Sequence, residues 1–595
     1  LVEQTITLKD GSKQTVLVPK VYVRSKVGDL KGDSSLIAAR NIDMQFTGDL
    51  TNQGNIVAHN GLRISANNLN NQNGGVIQGN FVQVNTKNDL NNLGATLKAN
   101  SAMALDIGGK LNNSSTTYHT ESKAGQSNAW RTGIDQIGQI YVGDGLKGKT
   151  DDNGRPLTTL SIDVGGNATF NAGQLINQGG TSRLVAQGDV ALNAVNTGFQ
   201  TNAIGDSNNY YKVGQTQDIG SVVASQGSTY IQSKGGSITG TAVTMHSEDG
   251  SSYLDANKDI ALKEGRATTN TSTAIKTTEK SLLSRKTTQD RNSATSDKAI
   301  SGNVTGDRVV MQAGNDIQLT ATNAISQSGT TLKAGNNLTL DAAQNRYSQS
   351  SSHNQKKSGL FGNGGASFTL GTQKTANDNR TDSTTHTGSV VGTYNGNTVL
   401  TAGDHYQQTG SKVFAQNQTT DNPKDLNYGT TVINAKSANV TNTTATTESH
   451  NSQSQKTTGL TVSVSNSLID QAQGINSLVK AGETTNSDQM KVMAGVAGFN
   501  KLRTLKNGIE DAMNPMTVDK AGHSIKKDTE QTLKGIGNTR IQATIGSQSS
   551  KSNQDSLSGN NEASSIDTNN LVLNIQGKGK DSDFVATGSD LNVNG

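Results

Sequence analysis

The chain has 595 residues, no Cys, 66 Gly, 4 Pro, 31% hydrophobic residues, 4% aromatic residues and a net charge of +4. That length would fill about three or four ordinary domains, but even with Gly counted the apolar fraction stays below the roughly 45–50% such domains carry, which excludes thick globular cores. Disorder usually pairs low hydrophobicity with high net charge, and the charge here is near neutral; the absence of Cys excludes disulfide frameworks and thiolate sites.

No stretch approaches the roughly 18 consecutive apolar residues of a membrane-crossing helix. The chain opens on Leu1, Val2, Glu3 and Gln4 with no signal-peptide pattern, and it reads as an internal piece of a longer protein. A balanced charge leaves no footprint for nucleic acid, so none is expected as a partner.

Residues 1–33 form an opening segment before the pattern begins. From 34 to 440 a period of about twenty residues governs the sequence, which is the signature of stacked units that bury their apolar sides only against neighbours. Leu50-Thr51-Asn52-Gln53, Leu69-Asn70-Asn71-Gln72, Leu90-Asn91-Asn92 and Leu111-Asn112-Asn113 repeat one another, and Leu175-Ile176-Asn177-Gln178 is a later copy. A second anchor, Ala-x-x-Asn/Asp-apolar-x-Leu/Met, recurs at 38–44, 186–192, 256–262, 313–319 and 334–340. Apolar residues alternate within each unit (Ile42, Met44 and Phe46; Ile317 and Leu319; Leu338 and Leu340), which specifies short strands. Gly, Asn and Asp follow them, as at Asn73-Gly74-Gly75, supplying tight corners.

Three strands and three corners per twenty residues predict an all-β chain: a right-handed parallel β-helix, or β-solenoid. Inward Leu, Ile, Val and Ala would stack as columns, and Asn52, Asn71, Asn92, Asn113 and Asn177 would form a corner ladder of side-chain amides. About 20 to 25 coils would extend roughly 100–120 Å.

Four polar segments, 114–158, 200–218, 265–304 and 344–392, break the period and read as loops or hairpins leaving the solenoid, a usual place for repeat proteins to vary. Trp130, Tyr210 and Tyr211 lie in them and are candidate partner contacts. Between 441 and 540 a Thr-rich stretch precedes a helical pattern near 466–513. There Val492, Val496, Phe499, Leu502, Leu505 and Ile509 share one helical face, to pack against the solenoid or to meet a membrane surface. Strand-like alternation returns over 541–595.

Gly143-Asp144-Gly145-Leu146-Lys147-Gly148-Lys149-Thr150 fits the spacing of a phosphate-binding loop. The Asp-Asp-Asn-Gly-Arg-Pro that follows is turn chemistry rather than the helix N-terminus a phosphate needs, so a cationic loop is expected. The eight His residues never fall in a zinc spacing. Asp49, Asp89, Asp189, Asp259 and Asp316 sit at repeat corners and read as turn residues. No catalytic residue, metal site or cofactor is expected.

Pro19-Lys20-Val21-Tyr22-Val23 leading into the Leu-Asn-Asn units, the Ala-Gly-Asn stretches at 313–321 and 334–342, Lys357-Ser358-Gly359-Leu360-Phe361-Gly362, and Gly459-Leu460-Thr461-Val462-Ser463-Val464 together resemble the haemagglutinin repeats of filamentous haemagglutinins and contact-dependent growth inhibition (CDI) exoproteins. That resemblance implies a secreted, surface-located Gram-negative protein exported through an outer-membrane two-partner-secretion transporter. It also implies a toxin-proximal, non-enzymatic stalk that engages the target-cell outer membrane or a surface receptor and presents a C-terminal toxin with its immunity protein. An adhesin for host protein or glycan is the alternative it leaves, and a carbohydrate-active β-helix enzyme is a third.

Overall fold

The computed structural model describes residues 2–7, 13–18, 35–362, 366–417, 428–465, 516–518, 524–526, 540–577, 579 and 583–594. From Leu36 to Val593 the backbone winds as a parallel β-solenoid with three strands per coil, right-handed as parallel crossovers are. No α-helix occurs among the described residues. The helical face Val492 to Ile509 lies outside them.

Alternation dictates each strand. In Thr96–Ile107 the side chains of Leu97, Ala99, Met103, Leu105 and Ile107 point inward and are buried, while their neighbours face solvent. The strand turns a solenoid corner at Asn100-Ser101, where its pairing with the preceding coil shifts between Ala99 and Ala102. Coils pair in strict register: Leu69, Leu90 and Leu111 stack along one face, and that column continues through Ala168 and Val190 to Ile238. The interior is therefore one narrow apolar column, fully buried at most positions.

Among the described residues one face of the solenoid contains 13 parallel strands; at about 4.8 Å per coil this stretch of rod is about 60 Å long. This is half the length expected from the period, because much of the chain is spent elsewhere. Among the described residues five hairpins leave the tube: Thr116–Ala124 with Ser127–Gln136, Val195–Asp206 with Asn209–Ile219, Gly265–Lys280 with Ser284–Ile300, Ala343–Gly362 with Ala366–Thr387, and Thr443–Ser465 with Arg540–Glu562. They are not separate excursions. Their strands join edge to edge into a single 10-stranded antiparallel sheet, a fin running along the rod.

All five hairpins depart from the same corner, directly after Ser114, Asn193, Lys263, Asp341 and Thr441, the ends of strands on the 13-stranded face. In the coils between them that corner is a single left-handed residue: Ala172 at φ 46°, Ala242 at 51°, Ala321 at 43°, Gly410 at 55° and Gly588 at 56°. The N–H groups of Ala172, Ala242, Ala321 and Gly410 donate to the carbonyls of Asn193, Lys263, Asp341 and Thr441 in the neighbouring coil. Hairpin and plain corner thus alternate coil by coil. The alternation has a metric reason: two coils rise about 9.6 Å, and two antiparallel strands occupy the same width.

Segment 114–158 contains more than a hairpin. After Gln136 the chain rejoins the tube at Gln139–Val142 and then makes a turn-rich loop over 143–157. The Lys147 and Lys149 N–H groups donate to the Asp144 and Leu146 carbonyls within this loop, and Thr150 bridges Pro156.

Candidate functional site

Within the tube the Asn residues form a continuous chain of amides. The Asn52 Nδ2 donates to Asn71 Oδ1 at 2.8 Å, Asn71 to Asn92 at 2.8 Å and Asn92 to Asn113 at 2.7 Å, with all four side chains buried. Asn113 ends it by donating to the Gly138 and Gln174 carbonyls, because Phe170 occupies the same place in the next coil. Asn177 is not part of this ladder. It lies on a different face, accepts from Thr159 Oγ1 at 2.8 Å and donates to Ser182 Oγ at 3.0 Å. Replacing Asn92 with Ala strands the Asn113 oxygen and removes a donor from the Ala95 and Gln139 carbonyls. A loss of about 2–4 kcal/mol is expected, read as faster amide exchange in the coils around 69–114; a change below about 1 kcal/mol would deny the ladder a stabilising role.

The surface that differs from a plain rod is the fin. Its hairpins lengthen along the chain, from strands of 9 and 10 residues in the first to 23 in both strands of the last. At about 3.4 Å per residue the longest hairpin extends about 78 Å, far beyond the tube. Most of its side chains are exposed or half-buried on both faces, so it is a single free-standing layer. Hydroxyls tie it to the rod: Ser221 Oγ donates to the Asn193 carbonyl at 2.8 Å, Ser389 Oγ to Asp341 at 3.0 Å and Ser564 Oγ to Thr441 at 2.7 Å. Each bridges the residue where a hairpin leaves and the one where it returns. Two of these serines carry a sequence signal, Gly220-Ser221 and Gly388-Ser389, that the polar composition of the segments hid; Ser564 follows Ala563.

Trp130 and Tyr210 fall on one face of the fin and Tyr211, 41% exposed, on the other. The Trp130 Nε1 donates to Gln200 Oε1 at 2.9 Å, and its ring stacks on His119 at 6.0 Å. Trp130, Arg131, Glu121 and Phe199 line a shallow groove of about 550 Å³. Lys212 Nζ lies 4.9 Å from the Tyr210 ring centre. The three aromatics form no common cluster.

On the opposite face His353 and Asp290 are cross-strand partners joined by a short hydrogen bond. That bond holds the His353 pKa above its ordinary value, against burial and the nearby Lys286, which act the other way. A raised pKa means that the pair's stabilisation is complete below the unfolded value of about 6.5 and is lost as pH rises through the folded one. The His353 titration midpoint, read by NMR, is expected above about 6.5 and to fall in Asp290→Asn; an unchanged midpoint in that variant would remove the pair as the cause.

Among the described residues no group of three or more His, Asp and Glu is placed to hold a metal ion, and no helix among them is long and apolar enough to cross a membrane.

Residues 283–428, covering the third hairpin's return, the fourth hairpin and the coils around it, match the hemagglutinin repeat family. Residues 283–428 are a haemagglutinin-repeat region. The chain is 28% identical over 323 residues to the 16S rRNA endonuclease CdiA of Enterobacter cloacae, covering 53% of this chain and 9% of the relative. It is 28% identical over 355 residues to the tRNA nuclease CdiA of Escherichia coli strain STEC_O31, covering 58% and 10%. To the tRNA nuclease CdiA-2 of Burkholderia pseudomallei it is 25% identical over 453 residues, covering 69% and 14%. The chain thus spans about a tenth of the length of these curated relatives. No solved structure matches it significantly.

Proposed function

We propose that this haemagglutinin-repeat chain is the stalk and translocation region of a contact-dependent growth inhibition exoprotein. In this reading it is non-enzymatic: it presents a C-terminal toxin outside the producing cell and helps it across the target-cell outer membrane. The partners are a two-partner-secretion transporter, the target envelope and the toxin with its immunity protein. The observation that carries the reading is the fin, five hairpins rooted at one corner of every second coil and widening in one direction. A plain spacer requires only the tube. A free-standing polar sheet whose reach grows along the rod supplies a large surface at one end, where contact with a second cell would be made.

Folding outside the cell fits the same architecture, since each coil offers the next a complete set of strand edges and stability accrues between neighbours. The test is a co-culture of producer and target cells in which the full-length exoprotein carries or lacks this region, with surface display and cell–cell adhesion measured in parallel. Loss of growth inhibition with display and adhesion intact is expected. Full inhibition without the region would refute the role in delivery, and loss of adhesion alone would favour an adhesin.

A further inference from the structure

The outer half of one fin face is charged in one sense only. Cross-strand partners share a face, so the pairings place Lys356, Lys374 and Lys456 side by side on three successive strands. The rows immediately inside and outside them add Lys276 and Lys551, and Lys280 and Arg285. None of these three rows contains Asp or Glu on this face. All seven cations are exposed, and among the described residues none forms an ion pair with a carboxylate.

The rest of the fin shows that this is not its general character. Nearer the tube the same face mixes signs, with Arg380 on Asp382 at 2.6 Å and His450 on Asp555. On the reverse face Lys286 is half-buried and meets Glu279 at 3.5 Å. Like charges opposite one another destabilise a sheet, so a bare ladder of lysines is a local cost that an anion would relieve.

One row further out on the same face stand Leu360, Leu370 and Leu460, 38%, 56% and 37% exposed. Leu282 and Leu283, at the neighbouring turn, are 99% and 64% exposed. Those rows hold no Trp or Tyr platform for a sugar. Cations beside exposed aliphatics are the arrangement of an interfacial surface, in which the cations meet headgroup phosphates and the leucines enter the acyl boundary.

We propose that the outer end of this face docks on a phosphate-bearing anionic lipid surface through the belt centred on Lys356, Lys374 and Lys456. The site rests on the delivery reading above and gives it a ligand chemistry. The belt lines a groove of about 450 Å³ with Asn354 and Gln289, open enough for headgroups to enter.

The test is flotation of the full chain with phosphatidylcholine vesicles that contain or lack phosphatidylglycerol, at low and high salt, with inorganic phosphate and heparin as competitors. Binding is expected only with phosphatidylglycerol, weakened by salt. It should fall by about tenfold or more in Lys374→Glu/Lys456→Glu, fall several-fold in Leu370→Ser/Leu460→Ser, and hold in the reverse-face pair Lys286→Gln/Lys357→Gln. Equal losses from the two faces, or no loss from the belt pair, would overturn the site. Heparin binding without vesicle binding would replace the lipid by a sulfated glycan and so overturn it too. Displacement by inorganic phosphate alone would reduce it to a free-phosphate site. The co-culture assay is a separate readout: a belt variant that loses vesicle binding while removal of the whole region leaves inhibition intact would sink the delivery reading and spare the lipid site.

Discussion

Leu319→Asp is expected to melt the coil it belongs to, at a cost of at least about 5 kcal/mol. Leu319 is fully buried between Leu262 and Leu340 in register, so a carboxylate there enters a tube too narrow to admit compensating water. Leu to Ala alone would cost about 2–5 kcal/mol through the lost packing. Because stability in a stacked rod is a sum over neighbours, the damage should be local. Hydrogen exchange should rise across roughly 300–345 and leave the coils around Leu69 and Leu90 protected. Uniform protection across both regions would mean that the column is not the source of cohesion.

The second large effect concerns the fin. Excising residues 343–388 joins Asp341-Ala342 to Ser389, an Asp-Ala-Ser step in the place of the Thr-Gly-Ser corner at 409–411, with Ala at the left-handed position as at Ala242 and Ala321. The tube should close over the cut, with its β-rich spectrum intact. The fin should not. Ser284–Ile300 and Thr443–Ser465, three strand spacings apart in the intact sheet, would be left facing each other across about 14 Å, too far for strands that pair at about 4.8 Å. Two half-fins with long unpaired edges are expected, seen as new protease cleavage in 265–300 and as self-association. Removing the first hairpin, Thr116–Ala124 with Ser127–Gln136, only trims the short end of the sheet and should do neither. If the internal excision leaves the fin as resistant as before, the two-strand, two-coil match is not what holds it together.

The solenoid was legible because its signals are local and repeated. Leu50, Leu69, Leu90 and Leu111 fall about twenty residues apart, and alternation around them leaves only a stacked strand to be formed. The Asn ladder could be read for the same reason as far as Asn113. Asn177 misled because Leu-Ile-Asn-Gln matches Leu-Asn-Asn-Gln in letters while its coil has moved on by one face; only pairing with Gln139–Val142 reveals that. The fin was not legible as a sheet. Its partners are remote, Ala366 lying opposite Val464 and Thr443 opposite Glu562, and its residues are Ser, Thr, Asn and Gln, which alternate without an apolar side. A strand polar on both faces gives no period-two hydropathy signal, so these segments differed from loops at most in the Gly-Ser steps that follow two of them, Gly220-Ser221 and Gly388-Ser389. The lysine belt was hidden for the same reason: Lys356, Lys374 and Lys456 are unremarkable where they stand in sequence and become a row only through register.

The coil-by-coil alternation of left-handed corner and hairpin constrains how a gene for such a rod can change length. Deleting or duplicating one coil would bring two hairpins to adjacent corners, or leave two plain corners together, and the sheet would be crowded or torn at that point. Recombination between repeats would preserve the fin only when it exchanges a pair of coils together with one hairpin. The inheritable unit is therefore the span between equivalent exits, as from Asn193 to Lys263 or from Lys263 to Asp341. It is several times the length of the twenty-residue motif that the eye first picks out of the sequence.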